Sequence, residues 1–549
     1  MLAGFLGLLL LATPVEHVYV VSSLTKVRPN PKRPSELRES LGWTALRGEC
    51  EASQVVVDAG DATLQISATA SPISSRIRLR IYREELIDLA EPSGLDGHPG
   101  RWPDPLIPVV DRYAGEARKA FPFTVPAGET AALFVEVCVD ENAEPGTYQH
   151  ALTLLINDSK RTIPIRLRVL EARIPSTATF PTTFGFSASR AGLGHLGRKP
   201  NDEERLEFSR LYRSALLAHR ISAHGGTFEP PPFTRRGGDL ELRFDEYDRE
   251  LSPFLEGPGA RATTVELRSH PGLHSDEERS RYARAIARHH RDKGWQAILF
   301  SYERDEPRLD ELAGVAAHAR ILRETGVSVL VTSSHHPILE GLVDIFAPNL
   351  NCLFVKKRPE ETCQWRASRT AYGPTRKRGG QLWWYLSCTS HGCAAPSSYA
   401  RGWPTYVIDV PGARARAMGW LAFQEQIEGE LYWDVLHAYG RSDPWTDPRA
   451  LAGNGDGTLF YPGTPTRIGG KSHIPIESLG LKHIRDGLED LELLRLVAKK
   501  PGGEAFARAI LSRLLPAPYR ITEGPEAWES ARKKLLSFLS GDSKSVGSP

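Results

Sequence analysis

The chain lacks any uninterrupted apolar run of 18 residues, so no segment is long enough for a membrane-spanning helix. It also lacks an excess of charge of one sign. Lys and Arg number 69 against 67 Asp and Glu, and the basic residues are scattered. This leaves no one-sided basic stripe of the kind that holds nucleic acid. No phosphate loop, H-E-x-x-H zinc motif or G-x-S-x-G elbow is present, and no glycine fingerprint for a dinucleotide opens a helix directly after a strand. Methionine is nearly absent and arginine frequent, which reflects genome composition rather than chemistry.

Cysteine is sparse. Of Cys50, Cys138, Cys352, Cys363, Cys388 and Cys393, four fall between 352 and 393, which in an exported protein suggests one or two disulfides. A zinc reading of Cys388, His391 and Cys393 in CTSHGC lacks a paired C-x₂-C knuckle, and the turn Asn454–Gly457 lacks the carboxylates of a calcium loop. No metal and no organic cofactor are therefore expected.

What is present divides the chain. A length of 549 residues exceeds one hydrophobic core, so at least two domains are expected. Leu2 to Ala12 is an apolar run of the length found in a signal peptide, although no Lys or Arg precedes it. Residues 1–14 are expected to be that segment, and the protein to be secreted, periplasmic or at the cell surface. Residues 15–175 contain short runs rich in Val, Ile and Leu, separated by Gly, Pro, Ser and Asp, with almost no helical pattern. This predicts an all-β, immunoglobulin-like sandwich, with a hairpin at Asn157-Asp158-Ser159.

From residue 178 to 500 the pattern changes. Eight apolar runs (TTFGFS, RISAHG, TTVELR, AILFSY, VSVLVTSS, DIFAPN, LWWYLS and GELYWDV) alternate with segments apolar at three- and four-residue spacing. Eight such units predict an α/β (β/α)₈ TIM barrel, closed by the helix in IESLGLKHIRDGLEDLELLRLVAKK. On that helix Arg485, Asp486, Glu489 and Asp490 read as solvated i,i+4 pairs. Residues 501–549 read as C-terminal helices and a polar tail.

In such a barrel the chemistry sits at the C-terminal strand ends. The fourth run is followed by Glu303, Asp305 and Glu306, three carboxylates within four residues. Cleavage of a glycosidic bond needs a proton donor for the leaving oxygen and stabilisation of an oxocarbenium-like centre. Where the substrate's own 2-acetamido oxygen attacks, the protein supplies one acid and one carboxylate that orients the acetamido group. Adjacent residues at a strand end can do both, with Glu306 reaching the glycosidic oxygen and Asp305 the amide N–H. The competing reading is a solvated loop of acids before a helix that starts near Pro307.

Aromatic residues add a second signal, because sugar rings pack on aromatic faces. Trp383, Trp384 and Tyr385 lie in the seventh run, and Tyr432 and Trp433 in the eighth. Alternation allows only about half of them to face the barrel interior, and Trp384 and Trp433 are the expected ones. Tyr302, Tyr385, Arg220, Asn349 and His335 complete the expected substrate-binding set. His336 reads as a loop residue, His289-His290 as helix surface and Asp344 as structural.

The stretches RGECEASQVVV, Asp305-Glu306-Pro307, LWWYLSC, GELYWDV, GDGTLFYPG and SLGLKHIRDGLEDLELL together resemble glycoside hydrolase family 123, whose barrel is also known as the DUF4091 domain. The resemblance covers both domains. It implies a retaining, substrate-assisted exo-β-N-acetylgalactosaminidase acting on glycans with terminal GalNAc, with Asp305 positioning the acetamido group and Glu306 as general acid/base. Two other readings compete with it. One is a glycosidase with another substrate, in which Glu430 would face Glu306 across the pocket. The other is a non-catalytic carbohydrate-binding protein, in which Glu306 would be locked to Arg304 or Arg308.

Overall fold

The computed structural model describes residues 17–542 except 32, 35, 226, 227, 355, 357–362, 364 and 389–398. The expected signal segment, with His391 and Cys393 of the zinc reading, lies outside the described residues. Cys388 is disulfide-bonded, so it offers no thiolate to a metal. Disulfides also join Cys50 to Cys138 and Cys352 to Cys363.

Ten strands form the first unit: β1 (His17–Ser22), β2 (Leu41–Arg47), β3 (Cys50–Asp58), β4 (Leu64–Thr69), β5 (Ile77–Leu89), β6 (Gly100–Pro108), β7 (Phe123–Val125), β8 (Thr130–Val139), β9 (Gly146–Ile156) and β10 (Ser159–Arg173). They make two five-stranded sheets, ordered β1-β3-β8-β5-β6 and β2-β10-β9-β4-β7. Strand β10 shows why they stack. Ile163, Ile165, Leu167 and Val169 are buried, while Pro164, Arg166 and Arg168 between them are exposed. The buried set meets Val55, Val57, Leu133, Val135 and Val137 of the other sheet in one apolar core. Ile156 pairs with Ser159, which leaves Asn157-Asp158 as a two-residue hairpin loop, with Asn157 at φ 49°.

The second unit is a nearly closed barrel of eight parallel strands: Thr182–Gly185, Ala223–His224, Thr264–Glu266, Ile298–Arg304, Ser328–Val331, Ile345–Phe346, Gln381–Leu386 and Gly429–Tyr432. Each lies on one of the eight apolar runs, the fourth strand extending two residues past its run and the seventh starting one residue ahead of its own. Neighbours in sequence pair around the ring except strands two and three. Side chains cover that seam: the Thr263 N–H donates to Ser222 Oγ at 2.8 Å, and the Gly225 N–H to Glu266 Oε2 at 2.8 Å. A single 3-10 turn, Pro337–Leu339, replaces the expected helix between strands five and six.

The pleat decides which aromatics enter the barrel. Phe300, Leu330, Ile345, Trp383, Tyr385 and Leu431 fill its interior. Trp384 and Tyr432, one residue along, point outward into the layer beneath the helices. Gly429 makes room for the interior tryptophan, since a Cβ there would stand 2.3 Å from the Trp383 ring.

The closing helix, Leu479–Ala498, corrects the sequence reading most. Arg485, Asp486, Glu489 and Asp490 are all buried, because the helix lies between the sandwich, the helix Ala413–Glu425 and the helix Pro525–Ser540. Glu136 of β8 receives Lys482 Nζ at 2.8 Å and also pairs with Arg485. Asp490 takes Arg416 at 2.6 Å and pairs with Arg532, which also donates to Glu49 at 2.7 Å. Solvated i,i+4 pairs are thus replaced by a buried chain of alternating charges. Likewise His290, expected at the surface, is buried against Tyr247 and Trp295.

Burial alone would raise the Glu136 carboxyl, but Lys482, Arg485 and Arg80 outweigh it and hold it well below the ordinary carboxylate range. Its contribution to stability is present at neutral pH and is lost only as pH falls through that depressed value. Glu136→Gln should cost about 1–3 kcal/mol in guanidinium unfolding at pH 7, since it takes one carboxylate from each of two buried cations, Lys482 keeping Glu477 and Arg485 keeping Asp486. A loss within about 0.5 kcal/mol, the range of ordinary surface substitutions, would show that these charges are not buried in solution.

Candidate active site

Asp305 and Glu306 stand exposed at the C-terminal end of the fourth barrel strand, just past an irregularity in register between Tyr302 and Arg304. Glu306 adopts φ 42°, in the left-handed region that non-glycine residues rarely occupy. Backbone strain of this kind persists where neighbours hold it in place, and it clusters at functional sites. The neighbour is Thr332, at the end of the fifth strand. Its Oγ1 accepts the Glu306 N–H at 2.8 Å and donates toward Asp305 Oδ1 at 3.1 Å.

Tyr302 donates to the same Asp305 Oδ1 at 2.8 Å. Burial, and then the Asp305 charge, keep the Tyr302 phenol well above its ordinary pKa, so it remains a donor. Two donors therefore fix one oxygen of Asp305, and no donor among the described residues reaches Oδ2. Tyr385 comes from the barrel interior in the seventh strand and donates to Glu306 Oε1. The other acids and bases of this loop are paired elsewhere, Arg304 with Glu311 and Arg308 with Asp310 at 3.2 Å. That arrangement runs against the locked, non-catalytic reading.

Two residues at neighbouring strand ends were not singled out from the sequence. His224 closes the second strand, buried, with Nδ1 3.1 Å from Thr183 Oγ1 and its ring edge-on to Tyr302 at 5.6 Å. Burial lowers its pKa, against the opposing pull of Glu266 and Asp305. Glu266 closes the third strand, where Gly225 orients it. Their only signal in sequence was their place at the ends of the runs RISAHG and TTVELR.

The remaining expected residues divide. Asn349 bridges to Tyr385 beside the sixth strand, and its buried Nδ2 has no partner among the described residues. Trp433 follows the eighth strand, half-buried, with its ring against His437 at 4.5 Å. Both stand at the mouth. Trp384 does not, because the pleat turns it outward. His335 packs on Phe346 and Tyr372, on the helix side of the barrel. Arg220 precedes the second strand and so lies at the opposite end of the barrel, where it donates to the Pro175 carbonyl.

Glu430 shares the outward parity of Trp384. It is buried beside Tyr406, which donates to it, and burial pushes its carboxyl up to about 8. It does not face Glu306. Asp456, in the turn Asn454–Gly457, is buried and accepts from Tyr432 Oη at 3.1 Å and the Cys388 N–H at 2.8 Å, so that turn braces strand eight. Gly192, Gly194 and Gly197 have dinucleotide spacing, but they belong to the helix Ala188–Leu196 and its cap. No group of three metal-ligating side chains occurs among the described residues.

Residues 276–497 match the family model of the glycoside hydrolase 123 catalytic domain. By this match the chain carries a glycoside hydrolase family 123 catalytic domain over that span. It is a glycosidase, and the matched span holds barrel strands four to eight with Asp305, Glu306, Thr332 and Tyr385. The fold of the whole chain is similar to that of a family 123 glycoside hydrolase from Clostridium perfringens, studied for glycolipid glycan hydrolysis. The two share 12% identity, with 96% of this chain and 98% of that one covered and a TM-score of 0.63. A GH10 xylanase with a bacterial Ig-like domain, from termite gut, shares 10% identity over 66% of this chain and 90% of its own, with a TM-score of 0.30 that carries no weight. No match was found among curated protein sequences.

For this glycosidase, Thr332→Ala removes the hydroxyl that fixes the Asp305 carboxylate and the Glu306 backbone. Turnover should fall about tenfold or more, the equivalent of one or two hydrogen bonds to charged groups, with little change in KM. Thr332→Ser keeps the hydroxyl and should restore most of the activity. Equal rates for the Ala and Ser variants would show that the hydroxyl does not position the pair.

Proposed function

We propose that the protein is a retaining exo-β-N-acetylgalactosaminidase that uses the substrate's 2-acetamido group as nucleophile. The observation that carries this reading is the division of labour between adjacent carboxylates. Asp305 has one oxygen fixed by Tyr302 and Thr332, which leaves the other for an amide N–H. Glu306 is displaced by its left-handed backbone and held by Tyr385.

With a sugar in place, Asp305 accepts the acetamido N–H and turns its carbonyl oxygen onto the anomeric carbon. That oxygen forms the new C–O bond as the glycosidic bond breaks, and Glu306 gives its proton to the leaving oxygen. Glu306 then takes a proton from the water that opens the resulting oxazolinium ion, whose N–H stays hydrogen-bonded to Asp305, so the anomeric configuration is retained. With Glu430 in the outer layer, the conventional pair proposed for another glycan loses its expected partner.

GalNAc as the sugar rests on the family resemblance, and a glycoconjugate such as a glycolipid glycan is the proposed natural substrate. Export fits such a substrate. Two disulfides of the described residues and the apolar segment 1–14 support it. The immunoglobulin-like description of the sandwich belongs to the same reading, supported by its two face-to-face sheets.

The test is release of 4-nitrophenol from the β-GalNAc glycoside, with the β-GlcNAc and β-Gal glycosides in parallel. Cleavage of the GalNAc compound, none of the β-Gal compound, and a loss of about a hundred- to ten-thousandfold in Glu306→Gln are expected. Asp305→Asn should slow the acetamido attack, with its largest effect on substrates that have good leaving groups. Wild-type rates in Glu306→Gln would remove the mechanism.

A further inference from the structure

A cavity of about 460 Å³ lies where the sandwich meets the N-terminal end of the barrel, opposite the catalytic mouth, and Arg76, Arg78, Arg80, Arg112 and Arg220 all line it. The strand pattern gathers three of them. Ile77 and Ile81 of β5 point into the sandwich core, so Arg76, Arg78 and Arg80 share the other face, each roughly 7 Å from the next. Arg220 reaches the same cavity from the barrel.

Five arginines face four carboxylates that line the cavity, Glu49, Asp140, Glu141 and Glu489, and Glu141 accepts from Ser176 Oγ at 2.6 Å. Arg76 pairs with Asp140 at 3.3 Å and Arg80 faces Glu136 at 3.6 Å. Glu49 is taken by Arg532, and Glu489 accepts the Cys50 N–H at 3.2 Å. Arg78 and Arg112 have no carboxylate within 4.0 Å among the described residues. Arg220 is 6% exposed, and its Nε is buried without a partner. Burial and then the charges of Arg80 and Arg112 hold Arg78 below its ordinary pKa, against the pull of Asp140 and Glu136, whereas at Arg112 burial is outweighed by the pull of Glu477, which raises the pKa. Burial, against the pull of Arg485, pushes the Glu489 carboxyl up to about 8, which weakens it as a counter-charge at neutral pH.

Guanidinium groups with free donors bind carboxylate, sulfate and phosphate oxygens in a bidentate manner. We propose that this junction cavity is an oxyanion-binding site, and that its ligand is a sulfate- or carboxylate-bearing sugar of an anionic glycan, bound apart from the catalytic mouth. The volume favours a sugar over a bare inorganic ion, since it falls in the range of small-molecule sites.

The experiment is calorimetric titration of the full chain with sodium sulfate, sodium phosphate and a heparin-derived hexasaccharide, each against sodium chloride at equal ionic strength. Saturable binding is expected, tightest for the hexasaccharide. In the Arg78→Gln/Arg112→Gln double variant, affinity should fall at least about tenfold, the loss of two charge-assisted contacts, while glycosidase turnover is unchanged. Both residues are exposed, so the variant keeps the fold, and a wild-type Tm checks this. Equal affinity for the inorganic ions and the hexasaccharide would assign the site to a free oxyanion. The proposal is overturned if no anion binds above the chloride control, or if the double variant binds as wild type does.

Discussion

The buried chain of charges along the closing helix is the constraint on which the rest of the structure depends. Lys482, Arg485, Asp486 and Asp490 leave water only because Glu136 and Glu49 of the sandwich, and Arg416 and Arg532 of flanking helices, meet them. Buried ions are tolerable when each finds an opposite charge in good geometry, and costly when one partner is missing. The sandwich and the barrel therefore complete one another, and the closing helix is their shared element. The same junction holds the arginine-lined cavity, to which the sandwich brings Arg76, Arg78, Arg80 and Arg112 and the barrel brings Arg220.

At the other end of the barrel the design is different. Residues from three strand ends converge on one loop: Tyr302 and the two carboxylates from strand four, Thr332 from strand five, Tyr385 from strand seven. The left-handed backbone at Glu306 is held by Thr332. The carboxylate pair owes its geometry to strands whose outward faces are packed beneath helices.

Much of this was legible in the sequence. The eight apolar runs became the eight strands because buried parallel strands are apolar on both faces and so read as continuous runs. Asp305 and Glu306 were legible as candidates because they stand directly after a strand end, where this fold carries its chemistry. Trp384 was misassigned for the same reason the runs were easy to find: with both faces apolar, period alone does not say which face looks inward. The pleat turned Trp383 and Tyr385 inward instead. Glu430 was misread with it, and Arg220 fell at the wrong end because the run RISAHG begins ahead of its strand.

The sequence by itself determined the kinds and order of the elements, the division into a β-rich unit and a barrel, and the loop that carries the carboxylates. These follow from local periodicity and from what a strand end can hold. Only the tertiary structure decided the facing of each strand, the burial of the charges on the closing helix, and the partners of Asp305 and Glu306. Those depend on residues distant in the chain, such as Glu136 with Lys482 or Tyr385 with Glu306, and no local pattern records which of them meet.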